Sequence, residues 1–423
     1  MRALLDIVGR QKRGEPVGVW SLCSAHPLVV ETAVHEAKAR ATPLLIEATC
    51  NQVNQYGGYT GMTPGEFHRF LLGIADRAGF PPERLWLGGD HLGPNVWREE
   101  TAAVAMERAD VLVAQYVAAG FHKIHLDCSM ACAGDPTPLP EDLVAARAAR
   151  LCAAAERAWR EQGGEAPVYV IGTEVPTPGG ATEELHALEV TRPESAEATI
   201  AAHRRAFVDA RLDAAWPRVI GLVVQPGVEF DHHKVIDYAP AKARALSAFI
   251  GRDPQFVFEA HSTDYQTPDA LRALVRDHFA ILKVGPAATF ALRETLWALD
   301  AIEGELPGLS QRAGLREVVL GAMRADPRYW RGHYRERATE SLDLSYSLSD
   351  RIRYYWPHPD VQRACETLLA NLRSRSLPMT LVSQHLPRQY EAIRAGRLDA
   401  SVDALLRDGI ASALRPYVEV CGS

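Results

Sequence analysis

The sequence predicts an α/β protein built on a closed (β/α)8 barrel, with additional helices at the C-terminal end. Short runs rich in Val, Ile, Leu and aromatic residues recur eight times along the chain. Each run is followed by a polar or glycine- and proline-containing break and then by a longer stretch with helical periodicity. Eight strand-then-helix units of this kind imply parallel strands that close into a barrel.

The predicted strands are short and mostly apolar, as expected for strands at the centre of a barrel. They are Val17–Ser21, Pro43–Ala48, Arg84–Gly88, Lys123–Asp127, Val168–Gly172, Val219–Val224, Gln255–Phe258 and Ala280–Val284. The intervening helices are predicted over residues 27–38, 63–78, 99–119, 141–161, 194–210, 239–250, 267–277 and 287–304. Several open on a capping residue or a proline, as at Thr63-Pro64, Thr137-Pro138 and Thr267-Pro268.

The chain has 423 residues, which is more than a single barrel requires. We expect the barrel to span residues 1–306 and a helical extension, residues 307–423, to pack on it. Within the extension, Arg351 and Arg353 could reach over the barrel mouth to hold an anion, because an arginine fork suits phosphate. A solvated helix start with aromatic packing is the alternative explanation of this segment.

Composition and charge exclude several classes of protein. A hydrophobic fraction of 47% with 23% charged residues is ordinary for a globular protein, and no segment approaches the roughly 20 apolar residues that span a bilayer. The N-terminus lacks the pattern of a signal peptide, so we expect a cytoplasmic protein without a membrane partner. The formal net charge of −7 gives no basic surface for nucleic acid.

The seven cysteines are odd in number and scattered, which indicates reduced thiols. Cys128 and Cys132 are four positions apart, without a second pair to complete a zinc site. We therefore expect them to be small core or loop residues.

Polar side chains follow nearly all of the predicted strands. In (β/α)8 barrels the chemistry gathers at the carboxyl ends of the strands, because the loops there vary while the opposite face holds the fold together. We therefore expect a ring of polar groups around one mouth. Its members include Ser24, His26, Glu47, Asn51, Asp90, His91, Asp127, Glu174, Gln225, His261, Ser262, Thr263, Asp264 and Lys283.

The adjacent pair Asp90-His91 is the centre of this ring. A carbon–carbon bond beside a ketone can break without an organic cofactor if a metal polarises the carbonyl and a carboxylate carries the proton. His91 and His261 follow different strands, so we expect them to meet across the mouth as metal ligands, with Asp90 as the proton-transfer group. Asp127 and Glu174 would orient these groups or supply a further ligand. Because Asp and His are also common in turns and helix caps, a purely local role is the alternative.

Two of the six lysines, Lys123 and Lys283, fall within predicted strands. A charge in an apolar strand needs a partner or a function. A carboxylate partner is the explanation we favour, and the alternative is a Schiff base with a carbonyl substrate.

Long motifs in the sequence resemble those of one family. The motifs are Cys23–Pro27, Glu47–Gln55, Gly88–Asn95, Gln225–His232, Glu259–Gln266 and Ser349–Pro357. They resemble the Z-subunit (GatZ/KbaZ-like) family of class II D-tagatose-1,6-bisphosphate aldolase over nearly the whole chain. The resemblance implies a TIM barrel and a place in galactitol or amino-sugar breakdown.

A more distant resemblance is to the catalytic, zinc-dependent class II aldolases. Their third strand ends in an Asp-His pair, in which Asp transfers the proton and His binds zinc, and Asp90-His91 is similar to it. Their fourth strand and their fifth-strand Glu are similar to Ile124–Ser129 and Glu174. Their seventh and eighth strand ends, which hold zinc and a substrate phosphate, are similar to His261–Thr263 and Lys283–Gly285.

One element departs from this second family. Its histidine after strand six has no counterpart in residues 225–230, and the nearest substitutes are Asp231, His232 and His233. We assign His232 as the third metal ligand.

These observations predict a metal-dependent 4-epimerase that interconverts tagatose 6-phosphate and fructose 6-phosphate by retro-aldol and aldol steps. The alternative is a non-catalytic accessory subunit that supports a separate catalytic aldolase subunit. We expect a homo-oligomer that binds Zn²⁺, with Mn²⁺ or Co²⁺ as alternatives. The predicted substrate- or phosphate-binding residues are Ser24, His26, Glu47, Asn51, Gln225, Ser262, Thr263, Asp264, Lys283, Gly285, Arg351 and Arg353.

Overall fold

The computed structural model describes residues 2–175, 180–181, 188–309, 311–334 and 338–421. Eight parallel strands close into a barrel in the order β1-β10-β9-β6-β5-β4-β3-β2, which confirms the predicted fold class. The barrel strands are β1 Val19–Leu22, β2 Leu44–Thr49, β3 Leu85–Leu92, β4 Lys123–Leu126, β5 Val168–Gly172, β6 Val219–Val223, β9 Val257–Ala260 and β10 Phe279–Val284. A separate antiparallel hairpin joins β7 Glu229–Phe230 to β8 Val235–Ile236.

Strand β3 is longer than predicted and extends to Leu92. Its glycines make room for a neighbouring side chain, because a Cβ atom at Gly88 would lie 2.5 Å from Glu47 Oε1. The register of β3 against β4 shifts between Gly89 and Leu92. Asp90 and His91 therefore lie in an irregular strand end inside the barrel, and not in an exposed turn.

The helices between the strands surround the barrel. They are α2 Pro27–Ala39, α3 Pro64–Ala78, α4 Ala102–Ala118, α5 Glu141–Gln162, α6 Pro193–Asp209, α7 Pro240–Ile250, α8 Pro268–Arg276 and α9 Pro286–Glu305. Thr63 and Thr267 cap α3 and α8 as predicted. The expectation for Thr137-Pro138 is wrong, because α5 begins at Glu141 directly after Pro140.

An additional helix, α1 Arg2–Lys12, precedes the first strand. Its buried Leu4 and Val8 pack with a cluster of apolar residues from the barrel strands, including Leu45 and Ile281. Burial of this apolar surface holds α1 against the barrel.

The C-terminal part of the chain is helical. It contains α10 Leu315–Ala325, α11 Glu340–Tyr346, α12 Pro359–Arg373, α13 Met379–His385, α14 Pro387–Arg394 and α15 Val402–Cys421. Helix α15 contacts α2, α8 and α9 of the barrel. The division of the chain at residue 306 stays a prediction.

A short 3-10 turn, Arg351–Tyr354, connects α11 to α12. The preceding segment is tied to the barrel by the Tyr265 hydroxyl, which donates to the Leu348 carbonyl at 2.6 Å. All seven cysteines are free, and Cys128 and Cys132 are buried, as expected. Within the described ranges, no helix combines the length and apolar character needed to cross a membrane.

Candidate functional site

Four buried side chains come together at the carboxyl ends of the barrel strands. They offer ligand atoms that all lie within 4.8 Å of one another. The group contains the expected pair from opposite sides of the mouth and one further histidine. We call Asp90, His91, His125 and His261 the His/Asp cluster.

In His91 and in His261, the ring nitrogen that points away from the other histidine is hydrogen-bonded to a carboxylate. Asp127 Oδ2 accepts a hydrogen bond from His91 Nδ1 at 2.7 Å, and Glu259 Oε1 accepts one from His261 Nε2 at 2.9 Å. Such bonds fix the tautomer and the ring orientation of a metal-binding histidine. The remaining ring nitrogens, His91 Nε2 and His261 Nδ1, face each other at 3.1 Å.

The donor atoms of the cluster fit a divalent cation. With the far nitrogens protonated, His91 Nε2 and His261 Nδ1 direct two lone pairs at one point. Two nitrogens on one tetrahedral zinc ion lie roughly 3.3 Å apart, given Zn–N distances of about 2.0–2.1 Å. His125 Nδ1 lies 3.0 Å from Asp90 Oδ1 and 3.2 Å from the His91 amide nitrogen, and its Nε2 is buried without a hydrogen-bond partner. A bound metal ion would give this unpartnered nitrogen a partner.

His125 was not among the predicted ligands. It shares strand parity with Asp127, so both side chains point to the same face of the barrel wall. This shared orientation could have identified His125 from the sequence, because Asp127 was already a candidate.

The pKa values of Asp90, His91 and His261 are shifted in different directions by their surroundings. Burial raises the pKa of Asp90, but the Lys283 ammonium and the histidines outweigh it and hold the pKa well below its usual range. Burial lowers the pKa of His261 to about 4, so its imidazole is neutral at pH 7 and free to bind a metal. Burial also lowers the pKa of His91, but Asp90 and Asp127 raise it above its ordinary value.

Beneath the cluster lie two lysines and two glutamates, which we call the charged floor: Glu47, Lys123, Glu259 and Lys283. Lys123 Nζ lies 2.8 Å from Glu47 Oε1 and 2.5 Å from Glu259 Oε2. Lys283 pairs with Glu47 and lies 3.1 Å from Asp90 Oδ1. The carboxylate partners that we favoured for both lysines are therefore present. Glu47 is fully buried in this floor and does not line the cavity described below, so its role in binding substrate stays a prediction.

A cavity of about 80 Å³ opens above the cluster. Cys23, Tyr59 and Tyr354 are among its walls. The predicted substrate-binding residues that line it are Asn51, Ser262, Asp264, Lys283, Gly285 and Arg353. Ser24 and His26 line a neighbouring, larger cavity, which shares Arg353 with the first.

Other predicted residues contact the protein itself. Gln225 Oε1 accepts from the Gly227 and Val228 amides, so it shapes its own loop. Thr263 is fully buried and donates to the Lys283 carbonyl at 2.5 Å. These side chains hold the strand ends in place and do not line the cavity.

Arg351 and Glu174 also lie outside the cavity lining. Arg351 Nη2 lies 2.7 Å from His333 Nδ1, in a buried position within the C-terminal segment. Glu174 is exposed and accepts a hydrogen bond from the Thr191 hydroxyl. The structure therefore does not bring Glu174 to the His/Asp cluster.

The predicted third ligand, His232, is also outside the cluster. Its Nδ1 lies 3.1 Å from Ser347 Oγ, and its Nε2 lies 3.1 Å from the His333 carbonyl. The cause is the β7–β8 hairpin. Its turn is closed by a hydrogen bond of 3.0 Å from the Asp231 amide to the Lys234 carbonyl, and His232 lies within that turn. In place of His232, His125 completes the group.

Two residues at this mouth have a strained backbone. His91 and Ser262 adopt positive φ angles of 48° and 54°. Such conformations cost a non-glycine residue about 1–3 kcal/mol and tend to occur at functional sites. Both residues line the cavity, so the strain coincides with the candidate site.

Comparisons with known proteins identify the family of this chain. A family model described as D-tagatose-1,6-bisphosphate aldolase subunit GatZ/KbaZ-like matches residues 4–422. The crystal structure of a probable tagatose 6 phosphate kinase from Sinorhizobium meliloti 1021 has 49% identity and a TM-score of 0.88, covering 96% of this chain and 100% of that chain. The YdjI aldolase from Escherichia coli K12 has 10% identity and a TM-score of 0.41, covering 86% of this chain and 94% of that chain. Because the family match extends over almost the whole sequence, this chain belongs to the GatZ/KbaZ-like family of D-tagatose-1,6-bisphosphate aldolase subunits.

Proposed function

We propose that this protein is a metal-dependent 4-epimerase that interconverts tagatose 6-phosphate and fructose 6-phosphate. The observation that carries the proposal is the His/Asp cluster, whose ligand atoms lie within 4.8 Å of one another beside the cavity. The family and the substrate named for the Sinorhizobium meliloti protein support a tagatose phosphate as the substrate class.

The two sugars differ only in the configuration at C4, which is separated from the C2 carbonyl by C3. Loss of the C4 hydroxyl proton breaks the C3–C4 bond, and its electron pair moves to C3 as an enediolate with C2. The C4 aldehyde fragment then rotates to present its other face. Attack by C3 restores the bond with inverted configuration, and the C4 oxygen regains its proton. No net oxidation occurs.

The chain's own residues take distinct roles in this scheme. Asp90, held ionised by Lys283, accepts the C4 hydroxyl proton and returns it. His91, His125 and His261 would hold the divalent metal, with Zn²⁺ expected first and Mn²⁺ or Co²⁺ as alternatives. When bound, the metal supplies Lewis-acid polarisation of the sugar's carbonyl and hydroxyl oxygens. Asp127 positions His91 at 2.7 Å.

The phosphate end of the sugar requires a cation at the cavity wall. Arg353 meets this requirement, because it lines the cavity and its guanidinium is fixed by the Asp350 carbonyl at 3.0 Å and the Tyr354 hydroxyl at 3.2 Å. A fixed guanidinium suits phosphate oxygens. Arg351 lies outside the cavity lining and is not part of this binding site in our scheme.

The experiment is an assay of the purified chain with each metal and tagatose 6-phosphate. Fructose 6-phosphate should form, and in D₂O the product should carry no deuterium at C4, because retro-aldol cleavage leaves the C4 hydrogen in place. Trapping reagents should detect small amounts of dihydroxyacetone and glyceraldehyde 3-phosphate. Failure to form fructose 6-phosphate with Zn²⁺, Mn²⁺ and Co²⁺ would contradict the epimerase.

The second candidate is an accessory subunit, which membership of a family of aldolase subunits favours. In that case, adding this chain to a catalytic tagatose-bisphosphate aldolase subunit should raise that subunit's activity or lifetime. We further propose that the protein acts in galactitol and tagatose breakdown, in the cytoplasm, as a homo-oligomer. Light scattering of the purified chain tests the oligomer.

A further inference from the structure

Helix α9 begins at the cavity wall, and its first amides are already occupied. Asp264 Oδ1 accepts hydrogen bonds from the Gly285 amide at 2.9 Å and the Ala287 amide at 2.8 Å. Pro286, between them, has no N–H, and the Ala288 amide donates to the Gly285 carbonyl. The donors at the start of this helix therefore have an acceptor within the protein.

This position is one that commonly binds phosphate in barrels of this kind. Asp264 follows β9 and Gly285 follows β10, which are the seventh and eighth strands of the barrel. Loops after these strands, together with a helix N-terminus, frequently form a phosphate site, because free amides and the helix dipole attract an anion. Here a protein carboxylate holds the place of that anion.

Asp264 is fixed in place and closely surrounded. Only 3% of its surface is exposed, although it lines the same cavity as Asp90 and His91. Burial raises its pKa to about 6, and the two amides oppose that shift. A phosphate dianion at the start of α9 would have to displace this side chain or lie against its negative charge.

We propose that Asp264 is a specificity-determining residue that fills the phosphate position at the start of α9, so that the site accepts a ketohexose with a free C1 hydroxyl and rejects a C1 phosphate. The inference rests on the proposed function for the sugar class and adds its phosphorylation state. Asp264 accepts a hydrogen bond from the C1 hydroxyl, and Arg353 holds the single phosphate at C6.

Calorimetric binding of sugar phosphates to the metal-loaded wild-type protein tests this, and epimerisation at C4 during the titration leaves the phosphate positions that are compared unchanged. We expect fructose 6-phosphate to bind at least 100-fold more tightly than fructose 1,6-bisphosphate, and fructose 1-phosphate to bind no better than the bisphosphate. Equal affinity for the 6-phosphate and the bisphosphate would overturn the inference. So would a wild-type protein that binds none of the three sugars.

Two substitutions of Asp264 distinguish the effect of occupying the phosphate position from the effect of its negative charge. Asp264→Ala empties the position and frees both amides, so affinity for fructose 1,6-bisphosphate should rise at least tenfold. Asp264→Asn keeps an acceptor oxygen in place, so its affinity for the bisphosphate should stay within threefold of the wild type. A folded Asp264→Ala protein without any gain contradicts the inference, and if that variant does not fold, the wild-type comparison decides.

The outcomes also separate this inference from the proposed function. Discrimination against the bisphosphate without epimerisation leaves the specificity role in place and removes the epimerase. Epimerisation with equal binding of both sugars removes only the role of Asp264.

Discussion

Lys283 and Asp90 form an ion pair across the interior of the barrel, with Lys283 Nζ 3.1 Å from Asp90 Oδ1. Their strands, β10 and β3, are separated by β1 and β2 in the barrel order. Burial lowers the pKa of Lys283, but Asp90 and the other carboxylates outweigh it and hold the pKa well above its ordinary value. Lys283 is therefore an ammonium group and a poor Schiff-base nucleophile.

Borohydride treatment in the presence of tagatose 6-phosphate should accordingly give no covalent adduct, as measured by intact-protein mass spectrometry. Lys283→Met should lower the free energy of unfolding by about 3–5 kcal/mol, because it leaves buried carboxylates unpaired. Lys242→Met is the matched control, since Lys242 is exposed. A reduced adduct on Lys283 would restore the Schiff-base alternative.

Asp90→Asn tests the assignment of the proton-transfer group. The amide keeps the shape of the side chain but cannot accept the hydroxyl proton, so kcat should fall by about 10²–10⁴-fold. Metal content, measured by plasma mass spectrometry, should stay near the wild-type level, because the three histidines of the cluster remain. A variant that loses its metal would show that Asp90 acts mainly as a ligand.

His125→Ala and His232→Ala form a matched pair for the metal centre. His125 has a buried nitrogen without a partner at the cluster, whereas both ring nitrogens of His232 have contacts in the C-terminal segment. Zinc affinity should fall at least tenfold in His125→Ala and stay unchanged in His232→Ala. The reverse result would support the original assignment of His232.

Glu229 makes stability depend on pH. Burial raises the pKa of its carboxyl to about 7, although hydrogen bonds from the Phe230 amide and the Ser262 side chain oppose the shift. The folded state therefore retains this proton while the unfolded state releases it near pH 4.5, so the free energy of unfolding falls as pH rises from about 4.5 to 7.

Glu229→Gln should remove this dependence. The free energy of unfolding of the variant, relative to that of the wild type, should rise by about 3 kcal/mol between pH 4.5 and pH 8. Urea denaturation of both proteins at the two pH values measures the difference. A constant difference between variant and wild type at both pH values would contradict the shifted carboxyl.

The barrel could be predicted from the sequence because each strand is a compact apolar run and each helix has a periodic face. Helix α1 was not predicted, because its role depends on packing of Leu4 and Val8 against residues distant in sequence. The end of β3 was misplaced for a related reason. Gly88 and Gly89 indicate a turn locally, but here Gly88 leaves room for Glu47 inside the barrel and Gly89 leaves room for Leu92 and for Tyr116 of α4.

At the site, the meeting of His91 and His261 followed from the shared direction of parallel strands. The role of His232 depended on the path of one loop, and a hairpin there directs it to Ser347. The contact of Asp264 with the Ala287 amide could not be predicted either, because it joins the segment after β9 to the first turn of α9, 23 residues further along the chain.

The buried ion pairs beneath the mouth have a consequence for charge balance. The four buried carboxylates around the cluster and the floor outnumber the two buried ammonium groups, so these six side chains together carry a formal charge of −2. They are Glu47, Asp90, Asp127, Glu259, Lys123 and Lys283. With the cluster histidines deprotonated on binding, one ion of charge +2 would bring the sum to zero. Electroneutrality of the barrel interior, as well as ligand type, therefore favours a divalent ion over a monovalent or trivalent one.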